Sequence, residues 1–181
     1  MVARTRYTPA EFERFVSLPE NAERRLELVE GDIVEVVSSS YSSETAANLL
    51  AEIRLFTKVH KLGRVTGADG GYVVGGERYI PDVAFISFAR QPEPSHAAYN
   101  PQPPDLAVEV LSPSDEAAVL RIKIVNYLRA GTAVWLVDPT RQTVEIYAPD
   151  AAPRTLTADD MLDGGSILPG FTLAVKDIFP E

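Results

Sequence analysis

The chain has 181 residues and a mass of 19.8 kDa, a length that favours one domain with a substantial core. Its 17 Lys and Arg residues against 26 Asp and Glu residues give a net charge of −9, and 45% of its residues are hydrophobic, which is typical of a globular protein rather than a disordered one. Because the chain contains no Cys, disulfides, thiolate metal sites and Cys nucleophiles are excluded.

The sequence gives no sign of membrane insertion or export. No apolar run approaches the roughly 20 residues that a membrane-spanning helix requires. Residues 1–7 carry positive charge without the apolar segment that follows it in a secretory signal. We therefore expect one domain over residues 1–181, located in the cytoplasm.

Two helices are predicted in the first third of the chain. Thr8 precedes a proline and lies three residues before Glu11, the pattern of a capping box, which predicts a short helix ending near Ser17. Apolar residues at helical spacing predict a longer helix from about Glu44 to Leu62.

Several segments have the pattern of strands. Residues 25–37 read as two strands around a turn at residues 30–32, and Glu27 faces away from the leucines beside it. Two more strand-like segments follow at residues 79–87 and 105–111.

The next elements alternate between helix and strand. Residues 112–115 have the cap pattern of a long helix that ends at Gly131, and residues 134–139 and 143–147 read as a hairpin. A strand, a helix and a strand in succession indicate an α/β fold with a central mixed sheet flanked by helices.

Two carboxylates stand where the pattern expects other residues. Glu109 interrupts the apolar run of residues 106–111, which is typical of a strand buried on both faces. A carboxylate there is costly unless a positive charge meets it. Asp82 opens another strand behind Pro81, which marks a strand end because it cannot donate a hydrogen bond.

A lysine is similarly out of place on the helix after Glu109. Lys123 lies within the apolar stripe of that helix rather than on its polar face. The stripe consists of Leu120, Ile124, Tyr127 and Leu128, of which Tyr127 is assigned to packing. Because strand and helix are consecutive, the helix can direct Lys123 at the end of the strand.

Two carboxylates and a lysine suit metal-assisted hydrolysis. Carboxylate oxygens are preferred by Mg²⁺, and a lysine can stabilise the charge that develops on a phosphoryl group. The alternative is a structural ion pair between Glu109 and Lys123 with Asp82 as an ordinary turn residue, and spacing alone does not separate the two.

The sequence resembles the Uma-type restriction endonucleases, a bacterial branch of the PD-(D/E)XK nuclease superfamily. The matching motifs are residues 26–31, Ile80-Pro81-Asp82, residues 104–115 with Glu109, Lys123 with Tyr127 and Gly131, residues 135–139, residues 168–171 and Ile178-Phe179. The resemblance implies a restriction-endonuclease-like core and an endonuclease that cleaves phosphodiester bonds, with DNA as the expected substrate.

The resemblance also implies site residues. Asp82, Glu109, Glu27 and the backbone carbonyl of Val110 match the family's ligands for Mg²⁺, for which Mn²⁺ can substitute. The superfamily motif places its lysine two residues after the acid, where this chain has Leu111. In this branch a lysine of the following helix is thought to replace it, which matches Lys123.

The net charge of −9 stands against unassisted binding of long DNA. Arg54, Lys58 and Lys61 share one helix face, but they read best as a solvated face that complements the helix C-terminus. Two alternatives therefore stay open: a homodimeric binding or regulatory module with little turnover, and a hydrolase of smaller phosphoesters. Homodimerisation is expected by analogy with nucleases that cut two strands.

Overall fold

A six-stranded mixed sheet lies at the centre of the computed structural model, which describes residues 6–112 and 116–180. Its strands, in order across the sheet, are β11 (Arg154–Leu156), β10 (Thr143–Tyr147), β9 (Ala133–Asp138), β8 (Leu106–Val110), β6 (Val83–Ser87) and β3 (Gly63–Gly67). Strands β8 and β9 run parallel and the other neighbouring pairs are antiparallel. The predicted mixed sheet with a parallel pair is confirmed.

One long helix covers each face of this sheet. Helix α2 (Ser40–His60) packs on one face, where Leu49 belongs to the same buried cluster as Val108 and Trp135. Helix α3 (Ala117–Arg129) connects β8 to β9 and packs on the other face, where Ile124 belongs to the same buried cluster as Ala107. Because successive strand residues point to opposite faces, Glu109 lies on the face that α3 covers.

A second, five-stranded sheet lies beside the first. Its strands, in order, are β2 (Asp32–Glu35), β1 (Leu26–Val29), β5 (Glu77–Tyr79), β4 (Gly71–Val74) and β7 (Tyr99–Asn100). Helix α1 (Pro9–Val16) begins with the predicted capping box of Thr8 and Glu11 and packs Phe12 against Leu26 and Leu28. The opposite face of β1 carries Glu27 and Val29.

The C-terminal segment closes the face that carries α2. Strands β12 (Met161–Asp163) and β13 (Thr172–Ala174) form a small hairpin sheet, and a 3₁₀ helix follows at Val175–Ile178. Leu168 and Phe171 are buried between these elements, and the Phe171 ring stacks on Trp135 with centroids 5.9 Å apart. Among the described residues, no helix has both the length and the apolar character needed to cross a membrane.

Two boundaries differ from the sequence predictions. Helix α2 begins at Ser40 rather than near Glu44, because the Ser39 hydroxyl caps the amide of Ser42. Residues 79–87 do not form one strand, since the chain leaves the smaller sheet after Tyr79 and enters the larger one at Val83. The predicted cap at residues 112–115 falls largely on residues 113–115, outside the described residues.

Candidate active site

Glu109 lies near the carboxyl end of β8, in the middle of the central sheet. The residue is 8% exposed, and both of its carboxylate oxygens accept hydrogen bonds. The Tyr127 hydroxyl donates to Oε1 at 2.9 Å, and the Lys123 ammonium donates to Oε2 at 2.9 Å. The two donors lie one helical turn apart on α3, which therefore holds the carboxylate from above the sheet.

Lys123 joins the two sheets. Its Nζ also donates to Glu27 at 3.0 Å to Oε1 and 3.1 Å to Oε2, so one ammonium bridges a carboxylate from each sheet. The amide of Ile80 donates to Glu27 Oε1 at 2.6 Å. The Lys123 side chain is 8% exposed, and its Nζ lies 5.5 Å from the centre of the Tyr79 ring. Lys123, which interrupts the apolar stripe of α3, is thus a buried cation with two carboxylate partners.

Asp82 reaches the same end of the central strands by a different contact. It stands in the short link between β5 and β6, and its Oδ2 accepts a hydrogen bond of 2.7 Å from the amide of Val110. Val110 is the residue after Glu109, so the two carboxylates are positioned by neighbouring backbone units. The structure therefore brings all four predicted side chains into one region, with Lys123 bound to Glu27 and Glu109.

Burial and charge oppose each other in this cluster. Burial has the largest effect on Glu109 and raises its pKa above the ordinary value. Lys123 opposes this rise, and the negative charges of Glu27 and Asp82 reinforce it. Burial alone would lower the pKa of Lys123, but Glu109 and Glu27 outweigh burial and hold that pKa above its ordinary value. The lysine therefore stays charged, and the carboxylates compete for it.

Tyr127 is a site residue that the sequence interpretation assigned to packing. It is fully buried, and burial, followed by the charges of Glu109 and Glu27, holds its pKa well above the ordinary value. Its hydroxyl is therefore a permanent donor to Glu109. The signal that could have identified it is its position four residues after Lys123 on the same helix face.

The chemistry of these oxygens fits a divalent cation, although the described residues contain no preformed group of three His, Cys, Asp or Glu side chains that could hold a metal ion. Asp82 and Glu109 offer hard oxygen donors of the kind Mg²⁺ prefers. The carboxylates of Glu27, Asp82 and Glu109 carry negative charge here, and the Lys123 ammonium is the positive charge that acts on Glu109. A cation at Asp82 and Glu109 would balance this negative charge.

A central mixed sheet with a helix on each face and an Asp-Glu-Lys cluster at the strand ends defines a restriction-endonuclease-like protein. Residues 11–176 match the model of the Uma2 family, which is described as "Putative restriction endonuclease". The chain therefore belongs to the Uma2 family, as its motifs indicated.

A solved structure supports the fold. The crystal structure of a putative nuclease of DUF820 from Anabaena variabilis ATCC 29413 is similar to this chain with a TM-score of 0.83 and 25% sequence identity, over 95% of this chain and 97% of that one. A comparison with curated proteins found none that matches. The predicted fold class, a restriction-endonuclease-like core, is confirmed.

Proposed function

We propose that this protein is a Mg²⁺-dependent endonuclease that hydrolyses phosphodiester bonds, with DNA as its substrate. The observation that carries the proposal is the Lys123 ammonium held between Glu27 and Glu109, beside an Asp82 that is bound to the amide of Val110. Membership of a family described as restriction endonucleases and the likeness to a nuclease support hydrolysis of nucleic acid.

Each residue of the cluster has a distinct part in this proposal. Asp82, Glu109 and the Val110 carbonyl would hold the cation, with Glu27 as a further acidic ligand. When bound by such oxygens, Mg²⁺ polarises a phosphoryl oxygen and lowers the pKa of a bound water. Lys123 supplies a fixed positive charge for the negative charge that develops on the phosphoryl group. Glu27 and Tyr127 also keep Lys123 and Glu109 in place.

The proposal is tested by calorimetric titration of the native chain with Mn²⁺, followed by nuclease assays on plasmid DNA and on a small phosphodiester. We expect saturable binding that is lost in Asp82→Asn and Glu109→Gln and retained in Asp159→Asn, which makes the same change at an exposed position. Cleavage should disappear in the same two variants. A native chain that binds Mn²⁺ but cleaves only the small phosphodiester would contradict DNA as the substrate.

One observation favours the second candidate, a homodimeric binding or regulatory module with little turnover. All four carboxylate oxygens of Glu27 and Glu109 already have protein partners, so the cluster is closed. Absence of Mn²⁺ binding and of cleavage in the native chain, together with twice the chain mass in light scattering, would favour this candidate. A monomeric mass at micromolar concentrations would contradict the predicted homodimer.

A further inference from the structure

A cleft of about 390 Å³ opens beside Asp82, within the size range of small-ligand sites. One part of its lining comes from the first half of α2, and another from Gly67 and Ala68 at the end of β3. These parts lie close together, because a Cβ added to Gly67 would lie 3.3 Å from Leu50. Asp82 borders this space, whereas Glu27, Glu109 and Lys123 are not among the described residues that line it.

Arg25 is the one cationic side chain among the described residues that line this cleft. It is half-buried, and within the described ranges its guanidinium forms no hydrogen bond or ion pair. It lies immediately before β1, two residues before Glu27. An acidic protein thus holds, next to its candidate metal ligand Asp82, a guanidinium with no partner among the described residues.

Hydroxyl groups add donors to the same lining. Ser40 and Ser43 face the cleft, and neither side chain has a hydrogen-bond partner within the described part of the chain. Ser38 and Ser39 also line the cleft, but their hydroxyls already have partners. The Ser38 hydroxyl donates to the Ser39 carbonyl, and the Ser39 hydroxyl accepts from the Ser42 amide. Arginine with hydroxyl donors is the combination that recognises a phosphate group.

We propose that this cleft binds a non-scissile phosphate of the nucleic-acid backbone, with Arg25 as its principal contact. This subsite rests on the proposed nuclease function and specifies how the substrate is held. The phosphate neighbouring the cleaved bond would lie at Arg25 while the cleaved one lies at Asp82 and Glu109. The contact reads the backbone and not the bases, so it gives affinity without sequence preference.

The subsite also answers the objection raised by the net charge. A chain with a net charge of −9 repels DNA, and the Asp82 carboxylate also repels any phosphate placed beside it. A single guanidinium in a partly desolvated cleft attracts a phosphate more strongly than an exposed lysine does. Affinity should therefore depend on Arg25 far more than on the exposed cations of α2.

The test is fluorescence anisotropy of a labelled DNA oligonucleotide with Arg25→Gln, measured in EDTA and again with Ca²⁺. The matched control is Arg24→Gln, which makes the same charge change at the adjacent residue, whose guanidinium pairs with Glu35 on the surface. We expect the Kd to rise about tenfold in Arg25→Gln and by less than about twofold in Arg24→Gln. The slope of log K against log salt should fall by about one in Arg25→Gln alone.

The outcomes separate the subsite from the nuclease function. Equal weakening in both variants, or no oligonucleotide binding by the native chain in either condition, overturns the subsite even if cleavage is observed. Selective loss in Arg25→Gln without any cleavage by the native chain supports the subsite and contradicts the nuclease. If Arg25→Gln does not fold by circular dichroism, Arg25→Lys, which keeps the charge but loses the forked geometry, should give an intermediate Kd, and an unchanged Kd overturns the proposal.

Discussion

At the scale of single residues, Lys123 determines how the site is held together. Taking an ammonium and two carboxylates out of water is costly, and the attraction between them repays that cost only with good geometry. Here the geometry is good, because Nζ lies 2.9 to 3.1 Å from three carboxylate oxygens. Removing one member should therefore leave uncompensated charge inside the protein.

We expect Lys123→Met to lower the free energy of unfolding by about 3–5 kcal/mol, because two buried carboxylates lose their counter-charge. The double variant Lys123→Met with Glu27→Gln should regain part of this loss, since one of the stranded charges is gone. Urea unfolding of the native chain, both variants and Lys58→Met measures this, with Lys58 as an exposed control on α2. A Lys123→Met protein as stable as the native one would contradict the bridge.

Glu77 gives a second prediction, because it is half-buried and its Oε2 has no hydrogen-bond partner among the described residues. Burial has the largest effect and raises the pKa of Glu77 above its ordinary value of 4.5. The negative charge of Glu30 also raises this pKa, whereas a hydrogen bond from the Glu30 amide lowers it. Above pH 4.5 the folded chain therefore binds more protons here than the unfolded chain, so this group lowers stability as pH rises.

Glu77→Gln should abolish the loss of stability that Glu77 causes as pH rises. The variant should gain stability relative to the native chain as pH rises from about 4.5 towards neutrality, because the amide cannot ionise. Thermal unfolding across this pH range measures the difference. Glu44→Gln removes the same charge at an exposed position of α2 and should show no such trend. A difference that shrinks as pH rises would refute the assignment.

The residues of the site differ in how far the sequence reveals them. Glu109 and Lys123 are visible because each breaks an apolar pattern, and the cost of burying an unpaired charge predicts that they meet. Glu27 came from the family motif, since nothing local to a short strand shows that its carboxylate meets a helix 96 residues later. Tyr127 was missed because a tyrosine in a helix stripe fits packing equally well.

At the scale of elements, the link from Ile80 to Asp82 explains why sequence reasoning merged two strands. Apart from Pro81 and Asp82, residues 79–86 are apolar, so Pro81 marks a strand end but the pattern does not show that the chain changes sheets there. The break arises because Pro81 cannot donate to a ladder, and Glu27 instead binds the amide of Ile80. This tertiary contact directs the chain from one sheet to the other and leaves Asp82 at the site.

Strand β3 contains a glycine that packing requires. A Cβ on Gly63 would overlap the Ile86 carbonyl and lie 2.7 Å from both the Phe85 ring and the Ser87 backbone. Gly63→Ala should therefore destabilise the protein by about 1–3 kcal/mol or more, because backbone must move to relieve the overlap. Gly67→Ala, in the same strand, meets only the tip of Leu50 at 3.3 Å and should cost less. Urea unfolding of both variants checks this, and equal losses would contradict it.

At the scale of the whole molecule, the site lies where the two sheets join. The larger sheet has a core of its own on the face that α2 covers, and the smaller sheet packs against α1 through a separate cluster. Tyr72, Val74 and Tyr79 of the smaller sheet, however, belong to the same core as Ile124 and Tyr127 of α3. The Lys123 bridge adds a polar link across that shared core.

This shared core leads us to expect that the chain unfolds as one cooperative unit, in agreement with the single domain predicted from its length. Trp135 is buried in the larger sheet and reports on it by fluorescence, whereas far-ultraviolet circular dichroism reports on all elements. The two urea transitions should coincide in the native chain. In Lys123→Met the transitions should shift together to lower urea if apolar packing joins the sheets, and should separate if the bridge alone joins them. Two separate transitions in the native chain would contradict the single domain.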